Sequence, residues 1–249
     1  MDVFLLGGHD LEMLEIKNIL EERGISYYDK GLNWSDALLS AYREELKSCA
    51  DSNVYGVELR EDIPAGDNYQ RIDHHNDYSD RASSLEQVAA LLGAELTRYQ
   101  QLVAANDKGY IPAMKALGAS DDEIAEVRRR DRAAQGVTEE DERLAAESAE
   151  ANTAIYNGIK VVRSLTSCFS PICDRLFPYR RLLIYTDAEW VFYGEGKAEL
   201  VGLLDSDIKK GRVFHGGGDC GYIGAAKHAY SKTEIQQFVE RIIKQYGNK

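Results

Sequence analysis

The first hundred residues alternate between two hydrophobic periods. Val3-Phe4-Leu5-Leu6 is a short apolar run that ends in Gly7-Gly8, the pattern of a buried strand followed by a loop. Leu11, Leu14, Ile16, Ile19 and Leu20 then recur at helical spacing, and Gly24 stops that helix. Ile25 to Tyr28 is a second short strand. Trp34, Ala37, Leu38, Ala41, Tyr42 and Leu46 predict an amphipathic helix capped by Asn33 or Ser35. Residues 53–59 (NVYGVEL) and Tyr69 to Ile72 read as the third and fourth strands. Ser83-Ser84 caps a helix that runs through Leu91-Leu92 and closes at Gly93. Strands alternating with helices of this length imply right-handed crossovers and a mainly parallel sheet.

The pattern changes beyond residue 120. Charged residues dominate 121–150, with Arg128-Arg129-Arg130-Asp131-Arg132 and Glu139-Glu140-Asp141-Glu142-Arg143 as the densest runs. Solvated helices laced by i,i+4 pairs account for this better than an arginine patch for a phosphate backbone, because the acids are interleaved. Arg181 to Thr186 (RLLIYT) and Trp190 to Tyr193 (WVFY) then predict an antiparallel pair turning at Asp187-Ala188-Glu189. Val213-Phe214 leads into a glycine segment, residues 215–221 (HGGGDCG). Gly224-Ala225-Ala226-Lys227 is read as a helix start, and Thr233 with Gln236 as the capping box of a terminal helix. The expected fold class is α/β: a parallel-sheet domain over residues 1–120, a charged helical linker over 121–163, and a smaller α/β domain over 164–249.

Composition narrows the function classes. The 249 residues are 44% hydrophobic, enough to bury a core, and carry a formal net charge of −12. That balance argues against charge-driven binding of long nucleic acid, while leaving room for a small phosphate ligand in a local site. No apolar run approaches the ~18 residues of a spanning helix, and the N-terminus lacks the basic segment of a signal peptide. Four scattered cysteines give no disulfide framework, so a cytoplasmic setting is expected. Cys168 and Cys173 have no nearby histidine to complete a zinc site, and Cys220 has no basic partner to make it a nucleophile. Any of the 15 tyrosines could stack on a base, but most belong to core or surface.

In a parallel sheet, the loops that follow the strands gather along one edge, where open α/β folds bind ligands. His9-Asp10-Leu11-Glu12 follows the first strand, Glu58 ends the third, and Asp73-His74-His75-Asn76-Asp77 follows the fourth. A later helix closes at Asn106-Asp107-Lys108-Gly109. Four segments thus bring carboxylates and imidazoles to one rim. So many acids repel one another unless cations lie between them, and the oxygen-rich mixture suits the harder divalent ions. The glycine segment supplies backbone amides able to cradle a phosphate, or alternatively a tight turn; His215 and Lys227 are candidate phosphate contacts.

Arg71-Ile72-Asp73-His74-His75, followed by Ser83-Ser84-Leu85-Glu86-Gln87-Val88, resembles the third motif of the DHH phosphoesterases. The acidic motifs around it stand in the family's order over residues 1–110. Gly216-Gly217-Gly218 resembles, more loosely, the substrate-binding segment of the companion DHHA1 domain. The resemblance implies a dinuclear Mn²⁺ site, with Mg²⁺ an alternative. Asp10 and Glu12 would take the places of the first motif's two aspartates, with His9 beside them. Glu58 would bridge the ions, and His74 would ligate the second ion together with Asp107. Asp73 would orient His74, and His75 would face the phosphate as donor or acid to the leaving oxygen. In the family pattern a histidine precedes the first aspartate at a longer spacing than His9 has here, and aspartates stand where this chain has Glu12 and Glu58. The implied activity is hydrolysis of a small nucleotide, a dinucleotide (a nucleotide second messenger among the options) or a short oligonucleotide. The expected partner is that substrate, with no long duplex and no membrane; a homodimer is left open. A catalytically degenerate nucleotide-binding or protein-interaction module of the same fold is the competing class.

Overall fold

The computed structural model describes residues 1–33, 36–217 and 221–246, and the chain divides into two compact units, Met1–Gly136 and Val137–Lys249. In the first unit, β1 (Asp2–Leu6), β2 (Ser26–Asp29), β3 (Asn53–Val57) and β4 (Tyr69–Ile72) form a sheet of order β2-β1-β3-β4. All three pairings are parallel. The inner strands β1 and β3 are buried along almost their whole length, as strands covered on both faces must be. The carboxyl ends therefore share one edge, and the segments beginning at Gly7, Glu58 and Asp73 leave the sheet there.

Helix α1 (Leu11–Glu22) buries Leu11, Met13, Ile16, Ile19 and Leu20, and it ends where Gly24 takes a left-handed φ of 63°. The expected helix from Trp34 does not form as such. Trp34 and Ser35 lie outside the described residues; the chain makes a 3-10 turn at Leu39–Tyr42 and then α2 (Arg43–Ser48). The cause is strand-like pairing: Arg60 accepts from the Leu39 amide at 2.9 Å and donates to the Ala37 carbonyl at 2.9 Å. Ala37, Leu39 and Tyr42 then fill one core cluster with Val3, Leu5, Val54 and Leu59.

Helix α3 (Ser84–Leu92) starts on a complete Ser83–Glu86 capping box and ends at left-handed Gly93. Helix α4 (Arg98–Ala116) does not close at Gly109. It breaks at Gly109 and Tyr110 and resumes to Ala116. Pro112 suits the break, since it has no amide to donate and its ring excludes the carbonyl four residues back. Helix α5 (Asp121–Ala134) packs against α1 and α4. The segment read as a linker is thus shared out: α5 stands in the first unit, and residues from Val137 onward stand in the second.

The second unit opens with α6 (Glu139–Ala151), then β5 (Thr153–Tyr156) and β6 (Ile159–Arg163), a hairpin turning on Asn157 and Gly158, both at positive φ. After α7 (Ser170–Leu176) come β7 (Arg181–Tyr185) and β8 (Trp190–Gly194), the antiparallel pair expected from the sequence. The short helices α8 (Lys197–Leu203) and α9 (Asp205–Lys209) precede the β9 (Val213–Gly216) and β10 (Tyr222–Ala225) hairpin. Gly224 and Ala225 therefore end a strand and do not begin a helix. Helix α10 (Lys232–Tyr246) is capped through Ser231 and Glu234, two residues before the pair read from the sequence. The six strands run β5-β6-β7-β8-β10-β9, with only β6 and β7 parallel. One face packs Trp190, Phe192 and Ile223 against Ile235, Phe238, Val239 and Ile242 of α10; the other packs Val162, Leu182 and Ile184 against Phe169 and Ile172. No helix among the described residues is long and apolar enough to cross a membrane.

Candidate metal centre

The first turn of α1, two loops at the sheet edge and the last turn before the α4 break converge on one group of side chains. His74 Nε2 lies 3.3 Å from Glu12 Oε2, 3.4 Å from Glu58 Oε1 and 2.7 Å from Asp107 Oδ2. Each of those four atoms is buried and lacks a hydrogen-bond partner of acceptable geometry. Glu58, His74, His75 and Asp107 bring one donor atom apiece to within 4.8 Å of one another.

The local backbone is built for this convergence. Glu58 takes a left-handed φ of 55°, which is costly for a residue with a side chain and turns it out of the strand direction at the end of β3. Gly7 lets the loop after β1 lie against it: a Cβ there would stand 2.6 Å from the Val57 carbonyl oxygen and 2.7 Å from that of Glu58. Glu12 sits in the first turn of α1, where its Oε1 accepts from the Leu85 amide at 3.1 Å, one of the free amides at the start of α3.

Electrostatics favour positive charge at this point. Burial, opposed by His74 and reinforced by Glu12 and Asp107, pushes the Glu58 carboxyl up to about 7. Burial first, then Asp107, raises Glu12; burial first, then Glu58 and Asp107, raises Asp10. Burial works against an imidazolium at His74, but Asp107, Glu12 and Glu58 outweigh it and lift its pKa to about 12. Three buried carboxylate oxygens converging on one imidazole nitrogen are the donor set of a hard divalent cation, which would replace the His74 proton, and the residues present fit one.

The remaining candidates fall around or away from this group. Asp10 is buried and caps α1, its Oδ1 accepting from Met13 at 2.9 Å, while Glu58 and Asp107 are near enough to repel it. His9 is exposed and stands outside the four-donor group. Asp73, expected to orient His74, has His75 as its ring partner instead: Oδ1 meets His75 Nδ1 at 3.2 Å and accepts from the His75 amide at 2.8 Å. Its other oxygen accepts from Arg71 at 3.0 and 2.5 Å. Burial opposes charge on Asp73, yet His75 and Arg71 together hold its carboxyl down at about 2. His215 in β9, Gly217 and Lys227 in a turn are exposed or partly so, and Gly216 accepts from Lys197 through its carbonyl. Gly218, with Asp219 and Cys220, lies outside the described residues.

Three side chains near the site receive no role from the sequence motifs. Arg71 sits two residues before Asp73, the spacing that puts neighbours on one side of an extended chain. Arg128 and Asp131 are buried on α5 and bonded to each other at 2.6 Å, and Arg128 also donates to Asn106 at 3.0 Å. A signal for them is present: Ile124, Val127, Arg128, Asp131 and Arg132 follow the i, i+3, i+4, i+7, i+8 rule for a single helix face.

No protein-family profile matches the sequence, and no curated protein is significantly similar to it. Solved structures do match. A pGpG-specific phosphodiesterase from Vibrio cholerae is 12% identical with a TM-score of 0.50, over 99% of this chain and 99% of that one. The DHH domain of a protein described as a member of a family of ribosomal proteins is 13% identical with a TM-score of 0.55, over 98% of this chain and 87% of that one. Over nearly its whole length, the chain shares the fold of these two structures, one of them a DHH domain.

Proposed function

We propose that the chain is a divalent-metal-dependent phosphoesterase acting on a small nucleotide. The observation that carries this reading is the convergence of Glu12, Glu58, His74 and Asp107 through buried atoms that make no well-formed hydrogen bond. Mn²⁺ is the proposed ion, with Mg²⁺ compatible with the same oxygen-rich set. Asp10, at the border of the group, would help to hold a second ion. When bound, such ions supply Lewis acidity and a hydroxide at neutral pH.

The protein's own groups provide the rest. Asp73, fixed by Arg71, takes the Nδ1 proton of His75 in a hydrogen bond and so fixes its ring, leaving Nε2 to serve a phosphate oxygen. Burial opposes a charged His75, but Asp73 and then Glu58 outweigh it and raise its pKa, which suits an acid that protonates a leaving oxygen. The glycine segment Gly216-Gly217-Gly218 of the second unit, with His215 and Lys227, is proposed as a phosphate-contacting element in its own right. A linear dinucleotide, the substrate type named for the Vibrio cholerae protein, is the first candidate. The net charge of −12 favours such a small ligand over long nucleic acid.

The test is turnover of bis-p-nitrophenyl phosphate and a dinucleotide panel with Mn²⁺. His75→Ala is expected to lower kcat by about 10²–10⁴-fold with metal still bound, and Asp73→Ala/His74→Ala to abolish both turnover and metal uptake. The exposed position of His9 favours a second reading, a nucleotide-binding module without turnover. Nucleotide binding without hydrolysis under any divalent ion decides for that module; equal inactivity of wild type and double variant, with no metal and no nucleotide bound, removes both readings.

A further inference from the structure

Asp107 reaches His74 from the last regular turn before α4 breaks, so its position depends on what fixes the break. Tyr110 holds φ 58° and ψ −152°, a region where essentially only glycine is at ease, and strain of this kind persists only when surrounding contacts over-determine it. Arg128 supplies such contacts from the neighbouring helix. Its Nη1 donates to Asn106 Oδ1 at 3.0 Å, on the near side of the break, and its guanidinium lies 4.7 Å from the centre of the Tyr110 ring, on the far side. The same nitrogen meets Asp131 Oδ2 at 2.6 Å, and Gln135 donates to the other Asp131 oxygen at 3.2 Å. Asn106, Arg128 and Asp131 are all buried. A planar fork that hydrogen-bonds at its edge while stacking by its face is specific to arginine; an ammonium cannot do both.

We infer that Arg128 is a positioning residue for the metal centre: it clasps α4 on both sides of Asp107 and sets the carboxylate against His74. The inference rests on the metal reading of the site. A purely architectural Arg128 would affect folding stability alone, whereas a clasp also sets metal affinity and the local opening of 105–112.

The experiment uses the full chain, stripped of metal by chelation, as wild type, Arg128→Met, Arg128→Lys and the exposed-surface control Arg129→Met. Each is titrated with Co²⁺ by calorimetry and visible absorption, and amide exchange is followed in the metal-free proteins. Folded Arg128→Met is expected to bind Co²⁺ about 10–100-fold more weakly, the usual consequence of losing a ligand's support, with altered absorption bands. Its exchange should accelerate over 105–112 relative to α1. Arg128→Lys keeps the ion pair with Asp131 but loses the fork, so it should show the same changes to a smaller degree, and it carries the comparison if Arg128→Met does not fold. Arg129→Met should match wild type. Wild-type uptake of Co²⁺ equalled by the Arg128 variants, with unchanged exchange over 105–112, overturns the clasp while leaving the metal centre standing. A wild-type chain that takes up no Co²⁺ overturns the metal reading and the inference with it.

Discussion

Buried carboxylates that repel one another destabilise a fold unless something positive joins them. Glu12 and Glu58 are both almost fully buried beside Asp107. Glu12→Gln keeps the bond to the Leu85 amide and removes one of these charges. Metal-free Glu12→Gln should therefore melt higher than wild type, by about 2–4 °C for roughly 1 kcal/mol in a chain of this size, while losing the rise that Mn²⁺ gives wild type. Differential scanning calorimetry with and without Mn²⁺ checks both halves. The pH dependence has a definite sign. Glu58 binds its proton more tightly folded than unfolded, so stability falls as pH rises from its ordinary value near 4.5 through about 7. His74 adds to the fall: its contribution is complete below pH 6.5 and is lost progressively toward about 12. Asp73, held down at about 2, acts in the opposite sense but only below its ordinary value of 3.8. Urea denaturation of chelator-treated protein should thus show decreasing stability from about pH 5 to 8, and Mn²⁺ should reverse the slope.

At the scale of elements, the acidic motifs were legible because strand and turn signals placed them. An apolar run closing in Gly7-Gly8, and Ile72 leading into Asp73-His74-His75, locate loops at strand ends whatever the tertiary details. Where tertiary pairing overrode local periodicity, the sequence misled: Ala37 and Leu39 fit a helical stripe, yet their backbone groups pair with Arg60. Elsewhere a readable signal was masked by its neighbours. Asn157-Gly158 between alternating apolar residues is a strong hairpin cue, obscured by the charged run before it. In that run, density of charge hid the face of α5 that carries Arg128. Gly7 gives an element-scale prediction, because the loop after β1 must touch the backbone of Glu58. Gly7→Ala should cost about 1–3 kcal/mol through overpacking and weaken Mn²⁺ binding by displacing Glu58, which denaturation and calorimetry read separately.

Across the whole molecule, the −12 charge divides in meaning. Asp10, Glu12, Glu58 and Asp107 gather at one sheet edge, where a cation would offset them, and the exposed acids are paired in part, as Glu126 is with Arg129 and Arg130. The fold shared with the DHH domain supplies the edge, and the particular residues supply the chemistry. The most direct test is anomalous diffraction from crystals grown with Mn²⁺. The metal centre predicts a peak among Glu12, Glu58, His74 and Asp107, within about 2.0–2.3 Å of their facing atoms, and its loss in His74→Ala. Clear density for the four side chains with no anomalous peak between them would contradict it.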